Sequence, residues 1–283
     1  MTKRWKWKRI PVFFLTLLAA AQLLTLGGPA GTARGSPSEE PEAILYAESQ
    51  EPVRAAPGRE EKAADLQKLL LETRADRPPA EAVPVPESGS VEDAYFENVV
   101  FLGDSRTEGF FLYSGLKTGK FLYAVGATVE SVFTKKAWDS GHGKLPLLDA
   151  LAETEYEKVY LMLGINELGW SKAENYREQY AKLIDRVRKD RPEAVVVLQS
   201  ILPVSAKQDA KGGYVNNKKI LAYNEIIADL AGEKDCVLLN SAEAVTGPDG
   251  CLPAEWTFDG VHLNPAGCRV LLDYYRTHSV TAS

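Results

Sequence analysis

Residues 99–109 read VVFLGDSRTEG: four apolar residues, then a break at Gly103 into a polar turn. The apolar run is continuous rather than alternating, which suits a strand buried on both faces. A helix is expected to follow the turn. A serine between such a strand and such a helix projects its hydroxyl from the sheet edge. Its own N–H then lies at a helix N-terminus, where negative charge is favoured. That placement suits a nucleophile whose attack creates an oxyanion. Taken alone, Gly103-Asp104-Ser105 reads better as an ordinary turn and N-cap, since such tripeptides are common in loops.

Outward from this segment, four more apolar runs rich in β-branched residues recur: Phe121–Val125, Val159–Leu163, Ala194–Leu202 and Val237–Leu239. Helical patterns alternate with them. From Lys172 to Lys189, Tyr176, Tyr180, Leu183, Ile184 and Val187 line one face, and Ser171 with Glu174 reads as a capping box. From Asn217 to Leu230, Ile220, Tyr223, Ile227 and Leu230 do the same. A third helix is expected after Asn264, with Asn264 as N-cap and Pro265 at its first position. Alternating strands and helices predict an α/β fold with a parallel sheet. Sites in such folds lie beyond the carboxyl ends of the strands.

Three further segments therefore bear on chemistry. Ala124-Val125-Gly126-Ala127-Thr128 follows the second strand, and a glycine there lets a ligand approach an open backbone N–H. LMLGINELGW, residues 161–170, carries Asn166, whose side chain is either a third donor or an Asx-turn cap. TFDGVHLNPAG, residues 257–267, carries Asp259 and His262. A serine hydroxyl needs a base at neutral pH, and imidazole titrates near about 6.5. An aspartate on the same loop can fix the imidazole tautomer. The bland alternative is that Asp259 caps a turn and His262 packs against the last helix. The other two histidines are weaker candidates: His142 is expected on a solvated loop and His278 in an exposed C-terminal tail.

The N-terminus is different in kind. Lys3, Arg4, Lys6, Lys8 and Arg9 precede an apolar run from Ile10 to Leu26. A basic flank before an apolar stretch is an export signal, so residues 1–33 are expected to be a signal peptide or a membrane anchor. Residues 34–92, rich in Pro, Ala and Glu, are expected to form a disordered acidic linker with a short helix between Glu60 and Arg74. Residues 93–283 are then the folded domain. The net charge of −6 argues against nucleic acid as a partner, because phosphate neutralisation needs a basic face. Cys236, Cys251 and Cys268 form no CxxC pair, and small buried thiols are the simplest reading, with a Cys251–Cys268 bridge left open. No metal-ligand cluster, GxGxxG or P-loop pattern is present, so no metal or cofactor is expected.

Four segments in this order resemble the SGNH, or GDSL-type, hydrolase family: Ser105 in GDS, Gly126 in AVGAT, Asn166 in GINE, and Asp259 with His262 in DGVH. The resemblance implies a three-layer α/β/α sandwich with a five-stranded parallel sheet in flavodoxin-like order. It implies Ser105 as nucleophile, His262 as base and Asp259 as its orienter. It also implies an oxyanion hole made by the Ser105 and Gly126 N–H groups and the Asn166 side chain. The sequence departs from the family pattern at Arg106, where leucine is usual, and at Glu167, where aspartate is commoner. Either change is expected to alter what approaches the site. With the export segment, the resemblance implies an extracytoplasmic serine esterase removing small acyl groups, such as acetyl, from glycans. An O-acyltransferase, a lysophospholipase-like lipid esterase and a non-catalytic glycan-binding module are the alternatives.

Overall fold

The structure, a computed structural model, describes residues 82–280. The expected leader, the helix between Glu60 and Arg74 and most of the linker lie outside the described residues. Among the described residues no helix is long and apolar enough to cross a membrane.

In chain order the fold runs β1 (Val99–Gly103), α1 (Ser105–Tyr113), β2 (Lys120–Tyr123), β3 (Trp138–Asp139), β4 (Lys144–Leu145), α2 (Leu147–Ala152) and β5 (Lys158–Met162). It continues through α3 (Ala173–Asp190), β6 (Val195–Gln199), α4 (Ala206–Asp209), α5 (Asn217–Glu233), β7 (Val237–Leu239), α6 (Ser241–Ala244) and α7 (Pro265–Thr277). Five strands form one sheet in the order β2-β1-β5-β6-β7, every pair parallel. With the small β3–β4 hairpin set aside, this is the flavodoxin-like order that the sequence resemblance implied. The order reverses direction between β1 and β5, so the crevice beyond their carboxyl ends is the natural place for a site.

The strands alternate their side chains between two cores. Val100, Leu102, Val159 and Leu161 pack with α2, α3 and α5 on one face. Val99, Phe101, Tyr160 and Met162 pack with α1 and α7 on the other. Both faces are covered, which explains why the strands read as unbroken apolar runs. Phe101 stacks on Phe121 at 4.9 Å between centroids and lies 5.2 Å from Tyr160. Removing such a ring to alanine typically costs about 3–5 kcal/mol. Where β1 ends, Gly103 has no room for a side chain: a Cβ there would sit 2.5 Å from the Met162 carbonyl and collide with Thr107. The close approach of β1, β5 and α1 at that point sets Ser105 in the crevice.

Local chemistry fixes the helix starts, in one case differently from expectation. Asn264 caps α7 as read, accepting from the N–H groups of Ala266 and Gly267 at 2.9 and 3.1 Å. The box of Ser171 and Glu174 does not form. Lys172 holds the cap position of α3 without a side-chain bond, so Ser171 stands one residue too early to reach the first turn. His278 is not an exposed tail residue. It closes α7, is buried, and stacks on Tyr274 with ring centroids 3.7 Å apart. His142 is exposed in the turn of the β3–β4 hairpin, and Cys251 and Cys268 are free thiols rather than a bridge.

The segment before β1 lies along the sheet edge. Pro84 bridges Leu238 in parallel, and the Val85 N–H donates to Leu238 O at 2.9 Å. The N–H groups of Ser88 and Val91 donate to Thr277 O and Arg276 O at 2.6 and 3.0 Å. Successive residues of an extended chain aim their N–H groups to opposite sides, so Val85 faces the sheet and its neighbours face away. Those neighbours are Pro84 and Pro86, which have no N–H, and the sheet is closed to further pairing on this side.

Candidate active site

Ser105 is the first residue of α1, directly beyond β1. Asp104 caps the helix by accepting from the Arg106 N–H at 2.8 Å. No partner for the Ser105 N–H is found among the described residues. A helix N-terminus with an open donor favours negative charge beside the serine. The Ser105 Oγ lies 2.9 Å from His262 Nε2, although the two residues are far apart in the chain. His262 Nδ1 lies 2.8 Å from Asp259 Oδ2. The loop that brings them is braced from within and from outside: Thr257 Oγ1 donates to His262 O at 2.7 Å, and Ser205 N–H, at the start of α4, donates to Gly260 O at 2.9 Å. His262 and Asp259 stay partly open to solvent, with side-chain exposures of 39% and 53%.

Gly126 sits in the turn after β2, closed by the Ala127 N–H donating to Ala124 O at 2.9 Å. Its φ of +71° favours glycine, and a glycine with positive φ at the third turn position marks a type II turn. The residue is exposed, and no partner for its N–H is found among the described residues. The sequence placed Val125 in the preceding strand; that strand stops at Tyr123, and Val125 lies exposed in the turn. Asn166 lies beyond β5. Its amide donates to Ala127 O at 2.9 Å and reaches Asp104 Oδ2 only at 3.4 Å, a weak contact. The five residues singled out from sequence thus gather at one edge of the sheet. Asn166 differs from the two backbone donors in already having a short bond to the loop of Gly126.

Two ionisable residues lie inward rather than at the mouth of the site. Arg106 is buried. Its Nη1 donates to Leu202 O at 2.7 Å, while Nε and Nη2 have no hydrogen-bond partner. Burial pulls its pKa down to about 10, against the charges of Asp104 and Asp259. Glu167 is fully buried. Its Oε1 accepts from the Val129 N–H at 2.7 Å, and Oε2 is unpartnered. Both side chains are buried, so neither lines the mouth of the site. Asp104 is also buried, and burial pushes its carboxyl up to about 6, opposed by the Arg106 N–H bond and by the charges of Arg106 and His262. Nothing in the sequence marked Glu167 as a contact of Val129, because no local pattern links the two loops. Its one signal was the departure from aspartate after Asn166.

Among the described residues no group of three or more His, Cys, Asp or Glu could hold a metal ion. The chemistry available is that of a hydroxyl, an imidazole, a carboxylate and open backbone donors, the parts of acyl transfer.

The model of the GDSL-like lipase/acylhydrolase family matches residues 101–270. Comparison with curated proteins finds no match. Among solved structures, a protein of Streptococcus pneumoniae provisionally described as a platelet activating factor is 22% identical. It covers 76% of this chain and 97% of its own, with a TM-score of 0.50, a likeness of fold. A GDSL-like lipase from Bacteroides thetaiotaomicron is 19% identical over 72% of this chain and 92% of its own, at a TM-score of 0.48. An acetyl xylan esterase is 19% identical over 64% of this chain and 99% of its own, at a TM-score of 0.49. With the family model matching more than half of its length, the chain belongs to the GDSL-like lipase/acylhydrolase family and is an ester hydrolase.

Proposed function

We propose that this chain is an extracytoplasmic serine esterase that removes small acyl groups, acetyl above all, from glycans. The observation that carries the reading is the continuous chain of contacts from Ser105 Oγ to His262 Nε2 and from His262 Nδ1 to Asp259. In this reading Ser105 Oγ attacks the ester carbonyl and gives its proton to His262 Nε2. The carbonyl oxygen becomes an oxyanion, held by the N–H groups of Ser105 and Gly126. The Asn166 amide joins by giving up its long contact to Asp104. The C–O bond to the alcohol breaks, the alcohol leaves with the proton from His262, and an acyl-enzyme remains. Water attacks that ester by the same route, frees the carboxylic acid and returns the proton to Ser105. Each oxyanion donor is worth about 100- to 1000-fold in turnover.

Two features support the substrate class. Phe258, beside Asp259, and Tyr113, at the end of α1, are exposed and meet edge to face at 5.5 Å. Tyr214 is exposed against Gly169, three residues beyond Asn166. Aromatic faces at a polar site pack against the apolar face of a ring-shaped ligand while leaving its hydroxyls wet. The basic N-terminus, the apolar run to Leu26 and the Pro-rich segment after it support a domain tethered outside the membrane, within reach of polymer.

The test is turnover of p-nitrophenyl acetate and of longer acyl esters by the chain and by Ser105→Ala. Loss of several orders of magnitude in the variant is expected. Equal turnover by both would remove Ser105 from the role. A profile favouring acetyl, with free acetate released from an acetylated glycan, supports the glycan esterase. Acylated sugar as the product would make the protein a transferase instead.

A further inference from the structure

The loop that carries Gly126 is held from outside by two consecutive residues. Asn166 donates to Ala127 O at 2.9 Å, and Glu167 Oε1 accepts from the Val129 N–H at 2.7 Å. The two contacts grip the backbone at either end of the stretch just after Gly126. Within the loop, Thr128 and Ser131 exchange bonds: Ser131 N–H donates to Thr128 Oγ1 at 3.0 Å, and Thr128 N–H to Ser131 Oγ at 2.9 Å. The loop is therefore a stiff unit, and whatever holds Val129 sets where the Gly126 N–H points. A buried carboxyl with an orphaned oxygen disfavours folding, and such groups persist mainly where a site needs them.

We propose that Glu167 is a positioning residue of the acyl-transfer site, fixing Val129 and through it the Gly126 N–H at the oxyanion. The inference rests on the reading of Ser105 and Gly126 given above. Reach is part of it. Aspartate is one carbon–carbon bond, about 1.5 Å, shorter, which would leave the Val129 N–H beyond hydrogen-bond distance.

Charge is the other part. Burial pushes the Glu167 carboxyl up to about 8; the Val129 N–H bond pulls it down and the Asp104 charge pushes it further up. The remaining titratable groups that face it are Tyr176 and Tyr180 of α3 and Tyr223 of α5, all pushed up by burial themselves. Tyr223 donates its hydroxyl to Glu167 O at 3.0 Å. At neutral pH the carboxyl therefore carries its proton, and an anion there would repel the oxyanion.

The experiment compares kcat and KM on p-nitrophenyl acetate, as functions of pH, for the full chain and for Glu167→Gln, Glu167→Asp and Ser105→Ala. Glutamine keeps the length and the acceptor, so Glu167→Gln should retain kcat at pH 7 within about threefold. Glu167→Asp should lose about 10- to 100-fold in kcat with little change in KM, the scale of a misplaced donor. The wild type should lose activity as pH rises through about 8, and Glu167→Gln should not. Wild-type kcat in Glu167→Asp, or an unchanged alkaline loss in Glu167→Gln, would overturn the proposal. Ser105→Ala separates the two readings. If it is inactive while Glu167→Asp is unimpaired, the positioning role alone fails; if it is fully active, the catalytic reading fails first.

Discussion

Asp259 holds His262 at two points: its Oδ2 lies 2.8 Å from the ring Nδ1, and its Oδ1 accepts from the His262 backbone N–H at 2.8 Å. Oδ1 also takes the Val261 N–H at 2.9 Å. Partial burial alone would raise this carboxyl; the bonds from His262 and Val261 and the His262 charge hold it below the ordinary carboxylate range. The carboxylate therefore aims the ring and fixes its tautomer in one gesture, leaving Nε2 toward Ser105 as acceptor.

Asp259→Asn separates those two jobs. The amide oxygen can still take the backbone N–H groups, so the loop should keep its shape. The amide N–H now faces Nδ1, which must become an acceptor, and the ring proton moves to Nε2. His262 then offers Ser105 a donor where a base is needed. A loss of about 10⁴-fold in kcat is expected, with an unchanged circular dichroism spectrum and a similar KM. Turnover of p-nitrophenyl acetate measures it. A loss under about tenfold would mean that Asp259 only shapes the loop.

Burial of the acids Asp104 and Glu167 ties part of the stability to pH. Burial raises both folded pKa values, from 3.8 to about 6 and from 4.5 to about 8. For an acid raised in this way, the folded state holds the proton more tightly than the unfolded chain. Its contribution is whole below the unfolded pKa and is lost as pH rises through the folded one. The protein should thus weaken between about pH 4 and 8, by on the order of a few kcal/mol for each group. Urea unfolding at pH 5, 7 and 8.5 checks the trend. Glu167→Gln should be more stable than the wild type at pH 8.5 and closer to it at pH 5. Equal wild-type midpoints at pH 5 and 8.5 would show that neither carboxyl is raised in the folded protein.

What the sequence made legible follows the range of the forces involved. The strands were readable because both faces of the sheet are covered, so Val99–Leu102 and Val159–Leu163 had to be apolar throughout. Asn264 was readable as a cap because its partners are two and three residues away. Ser105 and His262, near opposite ends of the domain sequence, could be paired because a serine nucleophile needs a base and the four segments resemble the SGNH blocks in order. The Glu167 contact with Val129 was not readable, since it joins two loops by a single bond with no periodicity. The burial of His278 was hidden for a similar reason: α7 runs on to Thr277, and the last ring folds onto Tyr274. The β3–β4 hairpin has only two residues per strand, too few for alternation to show.

The strap of residues 84–91 gives a prediction away from the active site. β7 is the outer strand of the sheet, and its free side is met by Pro84 and Val85. A chain trimmed to begin at Glu92 loses the backbone bonds of Val85, Ser88 and Val91. Each such bond is worth about 0.5–1.5 kcal/mol net, so the trimmed chain should be roughly 2–4 kcal/mol less stable than one beginning at Ala82. It also loses the apolar cover of Val85 and Val91 over the core beneath α7. The uncovered edge of β7 then offers donors and acceptors to another chain, which Pro84 and Pro86 had blocked. Denaturant midpoints should fall, and light scattering should show association that grows with concentration. The site lies beyond β1 and β5, with β6 between β5 and this edge, so turnover per folded molecule should hold. Equal stability and a monomeric trimmed chain would mean that β7 tolerates an open edge, leaving the strap without a structural role.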